Sequence, residues 1–389
     1  MQGKKLRFAA AWLFILLALL PLAGCQTKQY DWISTTKLAS GHPSGKIALL
    51  SVSDYDELVS EMEELMRIFV PEVDVLIRDM DKESLPSLLE QAKQHLSESA
   101  FGAYAQVDIM YDVITQNAVP IARFTLHYGR PLSESKQLAK VAEEAVFWQD
   151  VTDCILGLTR SLDREILFEP EADVEKELAA LLLNLPEGAI GFEDYTLERF
   201  TDKNSHILSL RFKYVANNVT LLSAREETRQ VVQEIIDPIA SVAEHMLFYR
   251  LYFALLDCAD YSVGTILTGV GPVTGTAYGP LVYGQGTSKG FAQALKMLCD
   301  EAGMDCYVIS GRKNGRTHYW NLVSINGMWY HTDPAEGDRE RQGFSGLYFL
   351  FNDDTANTQY KWTYRPEGME CTGKYYTYER IKKMMAETP

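Results

Sequence analysis

The residues able to do nucleophilic, acid–base or metal chemistry are few in this 389-residue chain, and they are scattered. Seven His and six Cys show no CxxC, HExxH or comparable spacing, so no structural zinc site is expected. There is no GxxxxGK[ST] loop and no GxGxxG after a strand, so nothing points to a phosphate cradle and no cofactor is implied. His95, His127 and His206 sit in periodic segments, where a surface or packed imidazole is expected rather than a ligand. Cys299 and Cys306 are close enough in sequence to pair, but two reduced, buried thiols are the preferred reading. One stretch stands apart. Residues 261–287 are rich in Gly and Thr, and they give way to a helix at about Ser288.

The elements after that point are well marked. Phe291, Leu295, Leu298 and Cys299 make one apolar face of the helix, and Gly303 ends it. Met304–Ile309 reads as a strand. Thr317–Ile325 and Met328–Thr332 read as two more, joined by Asn326-Gly327, a tight hairpin signal. The helix opens with Gly286-Thr287-Ser288-Lys289-Gly290-Phe291-Ala292. The first hairpin strand carries His318-Tyr319-Trp320-Asn321. The second carries Trp329-Tyr330-His331-Thr332-Asp333-Pro334.

These three ordered motifs resemble the transglutaminase-like superfamily of papain-type folds, in its bacterial branch. Ala277–Val282 upstream and Tyr348–Phe351 downstream fit as well. The resemblance runs from about Leu255 to Trp362. It implies a nucleophile at position 288, His318 as base and then acid, and Asp333 orienting His318. It also implies Tyr278 and Tyr283 as cleft-wall or oxyanion contacts. Trp320 is a further cleft candidate, with hairpin packing as its alternative.

The chain departs from the family where it matters most, because the family's nucleophile is Cys and position 288 is Ser. A thiol with a pKa near 8.5 ionises readily beside an imidazolium. A Ser hydroxyl is far less acidic, and must lose its proton during attack in a preorganised oxyanion site. No other Cys can substitute. Cys299 is eleven residues further along the same helix, about 16 Å away at 1.5 Å per residue. The expected function is therefore an inactive transglutaminase-like domain that binds a peptide or a cell-wall component. The alternatives are a Ser-His-Asp hydrolase or acyltransferase on amides or esters, and a purely structural surface module.

The rest of the chain concerns placement. Lys4, Lys5 and Arg7 precede an apolar run, Phe8–Leu20, that is short for a permanent membrane span. It ends in Leu22-Ala23-Gly24-Cys25, which resembles the bacterial lipobox. Residues 1–24 are expected to be a signal peptide and Cys25 to be lipidated. That would hold the protein on the extracellular face of a membrane. Losing the three basic residues would take the net charge from −16 to −19. Such acidity argues against nucleic acid as a partner. With 47% hydrophobic and 23% charged residues, the body is globular rather than disordered.

Polar residues 25–45 read as a tether. Residues 46–130 and 131–220 read as two related α+β modules, ahead of the domain at 221–389. In the first module the expected strands include Tyr104–Ile114 and Ile121–Tyr128. In the second, Leu138–Leu158 is expected to be one long helix. Phe124–Tyr128 and Leu210–Tyr214 repeat a pattern 86 residues apart. The fold class is thus α+β, a papain-like transglutaminase core preceded by two small α+β modules. Nothing in the sequence fixes an oligomeric state.

Overall fold

The computed structural model describes residues 31–34, 46–78, 83–116, 119–131, 133, 138–169, 173–203, 205–239, 242–362 and 365–387. The signal segment and Cys25 lie outside them. Among the described residues no helix is long and apolar enough to cross a membrane.

Strict alternation builds the first sheet. Val73, Val75 and Ile77 are buried and their neighbours are not, the pattern of a strand with one dry face. The strands are β1 (Asp31–Ser34), β2 (Lys46–Val52), β3 (Glu72–Ile77), β4 (Val107–Gln116) and β5 (Val119–Tyr128), in the order β1-β2-β3-β5-β4. β1 falls inside the expected tether, where four residues pair antiparallel with β2. Between β2 and β3 runs the helix Tyr55–Arg67. Asp54 caps it by accepting from the Glu57 amide at 2.8 Å, and Glu57 reaches back to the Ser53 amide at 2.8 Å. This is a variant of the capping box in which the Glu reaches the amide one residue before the cap.

The second sheet repeats the plan with β6 (Ala139–Val141), β7 (Ser161–Ile166), β8 (Phe192–Thr201) and β9 (His206–Tyr214), in the order β6-β7-β9-β8. In each sheet a parallel pair joined across a helix, β2–β3 or β6–β7, is followed by an antiparallel partner, β5 or β9. The 86-residue echo in sequence corresponds to this shared order.

Two expected elements are corrected. Leu138–Leu158 is not one helix, because Ala139–Val141 pairs with Arg164–Ile166 and the helix begins only at Glu144. That pairing is non-local, so helical periodicity cannot reveal it. The strand expected from Tyr104 begins at Val107 instead. A short helix, Ala100–Ala105, precedes it, capped by Ser99 and ended by Gln106 at φ +53°.

The chain divides into two compact units, one reaching to Leu96 and including Asp108–His127, the other comprising Ser97–Val107 and everything from Tyr128. The second sheet therefore belongs with the C-terminal region. Val141, Phe147 and Leu210 share a core with Leu221, Val273 and Tyr278. Two long helices follow, Asn218–Ile236 and Glu244–Cys258. Then come short pairings, β10 (Asp260–Tyr261) with β13 (Gln285–Gly286) and β11 (Leu267–Thr268) with β12 (Gly271–Pro272). The helix Ser288–Glu301, here the site helix, leads to β14 (Cys306–Lys313), β15 (Arg316–Ile325), β16 (Met328–Thr332) and β17 (Tyr360–Trp362), ordered β16-β15-β14-β17. The β15–β16 turn has Asn326 at φ +50° and Gly327 at φ +78°, as a type I′ turn requires. Asn184, from the second sheet's region, seals β14 from outside. It accepts from the Val308 amide at 2.6 Å and donates to the Val308 carbonyl at 3.2 Å, so that point of the edge has no free backbone groups.

Candidate functional site

The site helix begins where a loop is clamped onto it. Thr287 caps the helix through the Gly290 amide, while its own amide donates to the Thr274 carbonyl at 2.8 Å. Gly290 is required there, since a Cβ would lie 2.3 Å from the Thr274 carbonyl oxygen. Ser288, 8% exposed, is thereby fixed as the first helical residue. In a first turn the amides of Ser288 and Lys289 have no acceptor within the helix. They are the donors such a site could turn toward a developing oxyanion.

β15 and β16 supply the other two members. Asn321 donates to the Ala292 carbonyl at 2.8 Å and ties β15 to the site helix. Three residues earlier, His318 Nε2 lies 2.6 Å from Asp333 Oδ2. A carboxylate only accepts, so Nε2 carries the proton and Nδ1 is the nitrogen left for a nucleophile. Asp333 is fully buried, and both of its carboxylate oxygens accept hydrogen bonds. Oδ2 also accepts from the Tyr360 hydroxyl at 2.7 Å, and Oδ1 caps the following turn through the Glu336 amide at 3.1 Å. Burial, and then the charge of Asp333, holds the Tyr360 proton on far above the ordinary tyrosine range. Beside them lies a buried ion pair, Lys313 Nζ to Glu336 Oε2 at 2.8 Å.

The structure thus joins His318 to Asp333. Among the described residues no hydrogen bond links the Ser288 hydroxyl to His318. Their sequence neighbours Lys289 and Tyr319 line one cavity, although Tyr319 lies on the strand face opposite His318.

The other expected cleft residues lie elsewhere. Tyr278 donates to Glu227 Oε2 at 2.6 Å and meets Tyr283 edge-on. Both line a separate depression with Val219 and Thr268. Burial, then the Glu227 bond, raises the Tyr278 hydroxyl above its usual range. Trp320 is fully buried beneath His318, with ring planes 19° apart, so it is packing and not a cleft wall. Its Nε1 donates to His331 Nδ1 at 3.0 Å, and His331 Nε2 lies 2.9 Å from Asp353 Oδ1.

His331, Asp353 and Cys371 bring potential metal-ligand atoms within 4.8 Å of one another. The set suits a cation poorly. Both ring nitrogens of His331 are engaged, Arg365 already pairs with Asp353 at 2.6 Å, and burial raises the Cys371 thiol far above its usual range. Cys299 and Cys306 are free, buried thiols in hydrogen-bond contact.

Sequence reasoning missed Tyr360 and Lys289. Tyr360 lies on a three-residue strand, too short for any pattern. Lys289 stood in the open beside Ser288, and only its lack of a partner among the described residues distinguishes it.

No protein-family model matches the chain, and no curated protein matches it in sequence. Among solved structures it is similar to a transglutaminase (TGase), at 11% identity over 60% of this chain and 67% of that one, with a TM-score of 0.26. It is also similar to a proposed cysteine protease of Cytophaga hutchinsonii, at 12% identity over 41% and 68%, with a TM-score of 0.25. A proposed protease of Parabacteroides distasonis gives 9% identity over 67% and 39%, with a TM-score of 0.22.

Proposed function

We propose that this protein is a lipid-anchored extracellular lipoprotein whose transglutaminase-like domain has lost Cys-type catalysis and serves as a binding module for a peptide or cell-wall component. One observation carries the reading. His318 and Asp333 are paired and buttressed as a base–orienter unit, while the residue presented at the helix start is a Ser that makes no hydrogen bond to His318. A preformed thiolate–imidazolium pair needs only proximity, whereas a Ser hydroxyl needs its base in hydrogen-bond contact as it attacks.

The test is peptide hydrolysis and amine transfer by the full-length protein, wild type beside Ser288→Cys. Turnover by Ser288→Cys alone supports a cleft silenced by Ser288. Turnover by the wild type makes the protein a serine hydrolase or acyltransferase, with Ser288 attacking, His318 moving the proton and Asp333 orienting it. The anchor is tested separately. Wild type is expected in the detergent phase of a phase partition and Cys25→Ala in the aqueous phase. Equal partitioning would remove the lipid from the account.

A further inference from the structure

Lys289 is a cation in the wrong place for a merely structural residue. It occupies the first turn of the site helix, where the helix dipole disfavours positive charge. Burial lowers its ammonium pKa, and no charged neighbour offsets that. Among the described residues it has no ion pair and no hydrogen bond. Of the two carboxylates in the same cavity, Glu193 pairs with Lys213 at 2.8 Å, and Asp194 accepts from the adjacent Tyr195 amide at 2.9 Å. Lys289 contributes to a cavity of about 420 Å³ whose other walls include Leu182, Leu183, Phe192, Tyr195, Ser310 and Tyr319. A cavity that combines apolar and aromatic walls with a lysine lacking a partner among the described residues has the composition of a small-ligand site. A second cavity of about 790 Å³ continues from Ala179, Leu183 and Ser310 along β14 to Tyr307, so there is room for more of a chain than one residue.

We infer that this cavity binds the free carboxylate end of a peptide with an apolar terminal side chain, the carboxylate pairing with Lys289 and the side chain seated against Leu182, Phe192 and Tyr195. The inference deepens the binding-module reading and rests on it, since Lys289 adjoins Ser288. A ligand carboxylate removes both penalties on Lys289 at once, by neutralising its charge and by completing its hydrogen bonds. Much of the specificity wall comes from the second α+β module, which gives that module a role in ligand choice.

The probe is acetyl-alanyl-leucine, compared with its C-terminal amide, titrated into the full-length protein by calorimetry. The acid is expected to bind at least about tenfold more tightly than the amide, as for a charge-assisted hydrogen bond. Lys289→Met should abolish that preference, and Lys289→Arg should restore most of it. Thermal melting of each variant separates lost binding from lost fold. Equal binding of acid and amide overturns the inference, as does an acid preference that survives in Lys289→Met or no binding of either probe. Chromatography of the titrated mixture reports the parent reading independently. Cleavage of the probe by wild type would sink the inactive-module reading whichever terminus is preferred.

Discussion

Tyr360→Phe removes one hydroxyl from the buried centre of the site and little else. The ring would keep its packing against Trp320 at 5.0 Å, Phe351 at 5.6 Å and His318 at 6.0 Å, so no cavity larger than an oxygen forms. What is lost is the 2.7 Å donor to Asp333 Oδ2. Asp333 is 0% exposed, so water cannot replace that donor without the fold opening. A hydrogen bond to a buried charged group is worth about 1.5–3 kcal/mol, and leaving the carboxylate short of a donor places the cost toward the upper part of that range. The control is Tyr348→Phe, whose hydroxyl makes only longer contacts, 3.3 Å to Lys313 Nζ and 3.5 Å to Gln359 Oε1. It should cost under about 1 kcal/mol. Urea unfolding followed by tryptophan fluorescence reads both, because Trp320 and Trp362 lie in this cluster. Equal losses in the two variants, or a Tyr360→Phe loss below about 0.5 kcal/mol, the ordinary surface range, would refute the claim that Tyr360 sustains Asp333.

Three further outcomes are expected. Gly290→Ala should destabilise by about 1–3 kcal/mol, since its Cβ would be driven to 2.3 Å from the Thr274 carbonyl oxygen; an unchanged urea midpoint would contradict that close approach. Asn184→Ala should cost about 1–3 kcal/mol by orphaning the Val308 amide and carbonyl; native-state hydrogen exchange should accelerate at Val308, and an unchanged rate would refute the seal. Stability should also fall in acid through His331. Burial lowers its pKa below the ordinary 6.5, so the unfolded state takes up a proton first, and stability is lost as pH falls through about 6.5 toward the lower folded value. His331→Gln should flatten that part of the urea-midpoint profile, and an identical slope would remove His331 as its source.

How much of this was legible in the sequence depended on how local the determining interaction was. The apolar face from Phe291 to Cys299 with Gly303 after it, and Asn326-Gly327 between two strands, are local signals, and the site helix and hairpin lie within two residues of where they place them. The 86-residue echo pointed to a strand order that two sheets share. Ala139–Val141 could not be read, because only its pairing with β7 makes it a strand. Trp320 illustrates a different limit. Strand alternation fixes which face it shares with His318, but whether that face is cleft or core depends on Tyr360 and Phe351 arriving from much later in the chain. Tyr278 has the same limit, since its direction is set by Glu227 on a distant helix. The reading of position 288 rests on the motif residues around it, since its own residue departs from the motif.

The most direct test of that departure needs no substrate. Iodoacetamide alkylation at position 288, located by mass spectrometry, should be fast at neutral pH in Ser288→Cys and slow in Ser288→Cys/His318→Ala, because His318 Nδ1 would draw the new thiol into an ion pair. A large difference between the two rates is the result predicted for an assembled site that Ser288 silences. Equal rates would mean that His318 does not act on position 288, and would contradict the account.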